Sequence, residues 1–418
     1  MRSGAHEGQR ATVGPASDPA ALRRLFDQAV QRHQAGDLAA AGRLYEAALA
    51  GGPDRGLRAD VLANLASILR NQDRFAEAEA ALRDCLRLSP DHLSGLANLA
   101  NLLIVAQRYE EARACIARSL ALAPDDRLHR YRLGLAWLGE GDYAAGLPLY
   151  ELRDDRARTP LRSMSTPEWD GGPLEGRSVF IWREQGYGDE LQMARFIPAL
   201  KAAGAGRVMV APTRALVRLF GTLEGVDEVL EMTGRVAAPP HDVWALPFSL
   251  PHRLGVTLET LPAAPYLRAP EAARAAWKGF APEGGVGFVW HGNPAQPVER
   301  YRGLPSPELL QPLAEHVRLI DLQEPRGDFA DTAAILEQLD LVITTDTAMA
   351  HLAGALGRPC WVMLPAVGCD WRWLRRRPDS PWYPSLRLWR QETPGDWAPV
   401  IAAMKQELAS NGPPGRRP

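Results

Sequence analysis

Cysteine is scarce. The four in 418 residues, Cys85, Cys115, Cys360 and Cys369, never fall at CxxC spacing, which argues against a zinc site or a disulfide framework and reads as reduced core thiols. Charge excess is missing too. A net charge of −2 gives no overall basic surplus to recommend nucleic acid or an anionic membrane as partner. No apolar run approaches the length that spans a bilayer, and the opening MRSGAHEGQRATVGPASDP has no apolar h-region, so a cytoplasmic protein is expected. Asp-X-Asp, a metal-holding triplet, does not occur. What remains is a chain with 46% hydrophobic residues, long enough for two or three domains with cores of their own.

Self-similarity is present at the front. ANLASIL at 63–69 returns as ANLANLL at 97–103, an offset of 34 residues that also relates Ala66, Ala100 and Gly134, then Ala78, Ala112 and Gly146, and Pro90 and Pro124. Small residues at such points let paired antiparallel helices approach closely, and the proline ends the second helix. Residues 1–20 are expected to be disordered, 21–155 to hold about four helix pairs, and 156–176 to be a Pro/Gly/Arg-rich linker. Asn64 and Asn98 occupy equivalent places in adjacent first helices. Two readings are open: amides that grip the backbone of an extended acceptor, or amides that tie neighbouring repeats together.

The back half alternates strand and helix, the rhythm of parallel sheets covered by helices. One lobe runs over 177–268 and a second over 284–410, with an Ala/Pro-rich hinge at 268–284 between them, so two doubly wound lobes should face each other across a cleft. In the second, LDLVIT runs into Thr344-Thr345-Asp346-Thr347 and then the small-residue helix AMAHLAGALG. Ligands of such sheets sit beyond the carboxyl ends of the strands, and a helix start offers free N–H groups and positive polarity to an anion. One N-cap needs a single such residue, whereas here there are four. The first lobe has a glycine turn, EQGYGDE, in which Gly186 and Gly188 precede Asp189. A dinucleotide fingerprint fails there: its third glycine would be Leu191, and the next strand ends in Ala211-Pro212 without an acid. Asp189 is either a helix cap or a carboxylate aimed into the cleft.

The segments EQGYGDELQMARFIPAL, WHGNPAQPVERYRGLP, DTAMAHLAGALGRPCWVMLP and DWRWLRRRPDSPWYPSLRLWRQ together resemble the heptosyltransferase-type family 9 glycosyltransferases, which have the GT-B fold, and above all bacterial proteins that fuse tetratricopeptide repeats to such a domain. The arrangement is also similar to repeat-bearing protein O-GlcNAc transferases. The resemblance implies inverting transfer from a nucleotide sugar with no metal or other cofactor. It puts the general base at Asp189 and donor contacts at Asp346 and Thr347. Arg302 stands where the heptosyltransferases carry a phosphate-binding lysine, a change that keeps the charge. Tyr187 and Glu190 depart from the family pattern, and Glu190 leaves a second carboxylate beside the proposed base.

Around that core, donor contacts are expected from Gly186, Gly188, His291, Asn293, Gln323 near the nucleotide base, Ala348 at the helix start, and His351, which is either a donor ligand or a structural histidine. The run Trp371-Arg372-Trp373-Leu374-Arg375-Arg376-Arg377 reads as a loop lining the cleft rather than a nucleic-acid grip. Asn64 and Asn98 are the acceptor-side candidates. The expected function is glycosyl transfer to a protein or peptide acceptor presented by the repeats. The alternatives are an interaction scaffold with an inactive transferase domain, or transfer to a glycan or lipid-linked acceptor.

Overall fold

The computed structural model describes residues 18–154, 164–232 and 238–415. Most of the expected disordered terminus, through residue 17, and the 155–163 part of the expected linker lie outside the described residues. The chain divides into two compact units, 1–103 with 110–129, and 104–109 with 130–418.

The first unit is built from helical hairpins. α1 (Pro19–Gln34) packs on α2 (Leu38–Ala50), and α3 (Arg55–Asn71) packs on α4 (Phe75–Leu88). Asp18, Asp37 and Asp54 cap the first three with their side chains, which satisfies helix-start N–H groups that would otherwise lack partners. α5 (Leu93–Val105), α6 (Tyr109–Leu122), α7 (Arg127–Glu140) and α8 (Tyr143–Tyr150) continue the pattern. The 34-residue repeat is visible in the backbone as well as in the residues: Asp73, Gln107 and Gly141 all turn with positive φ, at 63°, 55° and 90°. The small positions act as the sequence suggests. A Cβ on Gly134 would stand 2.8 Å from the Leu149 Cβ, and one on Gly146 would stand 2.6 Å from Leu138, so α7 and α8 touch where only glycine fits.

The last hairpin, from Arg130 onward, belongs to the second unit. Leu138, Tyr143, Leu147 and Tyr150 are buried in the same apolar cluster as residues of the strand-and-helix lobes that follow. The Tyr143 hydroxyl accepts a 2.8 Å bond from Trp382 Nε1.

Two all-parallel sheets follow. The first has the order β3-β2-β1-β4, with β1 (Ser178–Trp182), β2 (Arg207–Ala211), β3 (Glu228–Val229) and β4 (Val243–Ala245). The second has the order β6-β5-β7-β8-β9, with β5 (Gly285–Val289), β6 (Arg318–Asp321), β7 (Leu341–Thr345), β8 (Cys360–Leu364) and β9 (Leu386–Arg390). β5, β7 and β8 are buried throughout, as continuous apolar strands of parallel sheets should be.

The helical stretch after the glycine turn is in three pieces, Tyr187–Met193, a 3₁₀ turn at Ala194–Phe196 and Pro198–Ala202, because Pro198 has no N–H to continue the ladder. The Ala/Pro-rich segment between the lobes is fastened to the second lobe. Tyr266 and Leu267 both donate to the Ala355 carbonyl, and the Ala269 amide donates to Glu337 at 2.8 Å.

Candidate active site

Four strand-exit loops converge. The first leaves β1 through Glu184 and Gln185, whose φ of 63° bends the chain sharply into Gly186 and the helix Tyr187–Met193. Asp189 is both things its sequence context allowed. Its Oδ2 accepts the Gly186 amide at 3.1 Å, closing the helix start, and its Oδ1 accepts Arg372 Nη2 at 2.9 Å from the opposite lobe. Glu190 turns away: its oxygens accept the Thr213 amide at 2.9 Å and the Thr213 hydroxyl, and burial pushes its carboxyl up to about 7. Of the two neighbouring acids, Asp189 therefore faces the other lobe.

Arg372 is supplied by the loop after β8. Asp370 caps the turn Trp371–Trp373 through the Arg372 amide at 2.9 Å and also takes Arg372 Nη1 at 2.7 Å. The guanidinium lies 4.9 Å from the Phe248 ring centre and 5.0 Å from that of Trp371. Burial opposes its charge, yet Asp370 and Asp189 hold the group above its ordinary range.

The loop after β7 forms the other wall. Thr347 caps the helix Ala348–Ala355, its hydroxyl accepting the Met349 amide at 3.2 Å and lying 2.9 Å from that of Thr344. The Thr345 hydroxyl is buried and has no partner among the described residues. Burial, and then the charge of Asp370, push Asp346 up to about 6; Arg302, a bond from the Trp373 side chain and Arg372 offset part of this. Arg302 donates to Glu299 at 2.7 Å, while Glu299 also takes the Gly292 amide, which ties the arginine to the loop after β5. Asp189, Arg372, Asp370, Asp346 and Arg302 thus form one electrostatic cluster drawn from both lobes.

Gly188 explains how the walls come so close. A Cβ there would stand 2.8 Å from His351 Cδ2 and 3.2 Å from Ala348 Cα, so the two helix starts meet at a glycine. His351 itself is enclosed. Its Nδ1 lies 3.1 Å from the Tyr383 hydroxyl and its ring stacks on Trp373 at 5.3 Å. Burial, then Arg372, Arg195 and Arg302, keep its pKa well below the ordinary histidine value. Of the two readings open for His351, the structural one fits this packing.

Five further candidates are engaged by neighbours within the protein. Gln323 is turned onto the backbone after β5: its Oε1 accepts the amides of Trp290 and His291 at 3.2 and 3.3 Å, and its Nε2 donates to the His291 carbonyl at 3.1 Å. Asn64 donates to the Asp60 carbonyl within its own helix, and Asn98 reaches the Ala63 carbonyl of the preceding repeat at 3.0 Å, so the inter-repeat reading describes Asn98. His291 Nδ1 is 2.7 Å from the Gly292 carbonyl, and exposed Asn293 accepts the Ala295 amide at 3.0 Å, so this loop is braced by its own side chains.

Sequence reasoning placed Arg372 in a cleft-lining loop without giving it a role. The signal was local, an aspartate one residue before a Trp-Arg-Trp turn. Arg153 carried no signal at all. Its side chain forms a buried pair with Glu184, Nε to Oε1 at 2.6 Å and Nη2 to Oε2 at 3.0 Å, and also donates to Ser249 at 3.1 Å.

Residues 69–136 match the tetratricopeptide repeat family, and residues 306–361 match glycosyltransferase family 9 (heptosyltransferase). Protein FlbA of Caulobacter vibrioides is 29% identical over 326 residues, covering 66% of this chain and 53% of its own, so the chain spans about half the length of that relative. Among solved structures, a mutant O-GlcNAc transferase of Thermobaculum terrenum aligns over 94% of this chain and 91% of its own at 16% identity and a TM-score of 0.36. A family 9 glycosyl transferase of Veillonella parvula aligns over 57% and 92% at 14% identity and a TM-score of 0.39. By sequence, residues 69–136 are thus similar to tetratricopeptide repeats and residues 306–361, downstream of them, to a family 9 glycosyltransferase.

Proposed function

We propose that the chain transfers a sugar, with inversion and without a metal ion, from a nucleotide-sugar donor to a polypeptide acceptor presented with the help of the repeats. The observation that carries this reading is the cluster in which Asp189 of one lobe meets Arg372 of the other, beside Asp346 and Arg302. The acceptor oxygen bonds to the anomeric carbon as the bond from that carbon to the diphosphate breaks, and Asp189 receives the acceptor proton. Charge growing on the departing diphosphate meets the start of the helix Ala348–Ala355 and Arg302, donors that are fixed before the reaction begins. A base and a leaving-group site on opposite walls of a cleft suit inversion.

Incubation with a panel of nucleotide sugars and measurement of released nucleoside diphosphate tests the reading, with Asp189→Ala expected to abolish release and chelator expected to leave it unchanged. Full turnover in Asp189→Ala would remove the proposed base. A glycan or lipid-linked acceptor is the second reading. It gains from Asn98, whose amide is engaged between repeats rather than offered to a peptide. Mass spectrometry of proteins and of glycans from cells with and without the chain separates the two.

A further inference from the structure

The site contains one half-buried and one buried arginine, and their surroundings differ in a way that separates their tasks. Arg302 spends Nε on Glu299 and keeps 22% of its side chain exposed, next to the buried carboxyl of Asp346. Arg372 keeps only 6%. Its two Nη groups are committed to Asp370 and Asp189, its planar face lies by Phe248 and Trp371, and its Nε is enclosed without an acceptor among the described residues. An arginine so engaged has no open edge for an incoming diphosphate, whereas it fixes one oxygen of Asp189 from across the cleft. The other oxygen is fixed by Gly186.

We propose that Arg372 is a positioning residue for the base: it orients the Asp189 carboxylate from the opposite lobe, with Asp370 orienting it in turn, and it takes no direct part in holding the donor diphosphate. This rests on the reading of Asp189 as the base of a glycosyl transfer. The guanidinium fork matters as much as the charge, because it reaches two carboxylates in fixed directions; a lysine ammonium is a single point charge and cannot hold both in the same geometry. Misplacing a reacting group by about 1 Å costs on the order of 100-fold in rate.

The test uses the full chain and two readouts. Calorimetry with inorganic pyrophosphate and with UDP, GDP and ADP should show Arg302→Met weakening the affinity tenfold or more, while Arg372→Met stays within about twofold of the parent. With the nucleotide sugar the parent turns over, Arg372→Met should lose about 100-fold in kcat with little change in donor KM, and Asp370→Asn should lose less in the same direction. Arg372→Lys should recover little of it. A thermal melt of each variant separates misfolding from misplacement, and Asp370→Asn keeps the question open to measurement should Arg372→Met fail to fold. Loss of diphosphate affinity in Arg372→Met equal to that in Arg302→Met would make Arg372 a phosphate ligand and overturn the proposal, as would unchanged kcat. If the parent chain binds none of these diphosphates, the transferase reading and this inference fall together.

Discussion

Gly188 and His351 meet at the seam between the two lobes, with 2.8 Å between the place a Cβ would occupy on one and the Cδ2 of the other. The backbone of Ala348 lies 3.2 Å away on the same side, so the contact cannot be relieved by a side-chain rotation alone. Gly188→Ala is expected to destabilise the protein by about 1–3 kcal/mol, the usual cost of overfilling a packed contact, and to lower transfer by displacing the adjacent Asp189. Gly186→Ala is the control. Its Cβ would meet only Asp189 Oδ2 at an ordinary 3.4 Å, and urea unfolding of the pair should separate them clearly.

Arg153 and Glu184 form an ion pair with side chains only 1% exposed, joining the end of the last repeat to the turn that carries Asp189. Burial raises the Glu184 pKa and Arg153 opposes that shift. Removing one partner leaves a buried charge uncompensated, so Arg153→Met should cost about 3–5 kcal/mol. Arg153→Met combined with Glu184→Met replaces both ions by apolar groups and should cost less than the single change. A denaturant-based double-mutant cycle reads the difference.

The last helical hairpin is part of the second unit's core. Tyr143 bonds to Trp382, Tyr150 packs 5.7 Å from Phe248, and Leu138 and Leu147 are buried with them. A chain beginning at residue 156 would expose this surface and strip Glu184 of its partner, so it is expected to be insoluble or molten. A chain beginning at residue 104 keeps all of these contacts and is expected to melt cooperatively. Circular dichroism of the two truncations decides the matter. A sharp transition in the shorter one would contradict the packing.

The repeat positions and the central strand β7 were legible in the sequence because each rests on a local signal: a 34-residue offset of small residues, or an apolar run cut by a polar tetrad. β3, only Glu228–Val229, and β4, only Val243–Ala245, are too short to show a period of two. β9 hides its alternation behind Arg387 and Arg390. Motif position singled out Asp189, Asp346 and Arg302 as candidates, and the structure brings the three into one cluster. Arg372 and Arg153 were not singled out, since their partners lie 183 and 31 residues away and no spacing along the chain encodes such a contact. The partners of Gln323 and His351 were hidden for a related reason: the sequence shows that a polar residue follows a strand or opens a helix, not which neighbour its side chain meets.

Asp346 gives a pH dependence whose sign can be worked out. Burial lifts its carboxyl from an ordinary value of 3.8 to about 6, so between those values the folded chain keeps a proton that the unfolded chain has released. Stability from this group is therefore fully present below about pH 4, falls as pH rises, and is lost above about 6. At about 1.4 kcal/mol per unit the loss is on the order of 2–3 kcal/mol. Asparagine removes the ionisation while keeping an oxygen to accept from Trp373. Asp346→Asn should therefore gain stability over the parent progressively from about pH 4 to 6 and hold that gain at pH 8, even as it loses transfer activity. Urea unfolding at pH 5, 6 and 8 checks this, and a gain that shrank with rising pH would mean that Asp346 is ionised in the folded chain well below pH 6. A stabilising substitution that abolishes activity is what is expected of a carboxylate kept in a costly place for its chemistry.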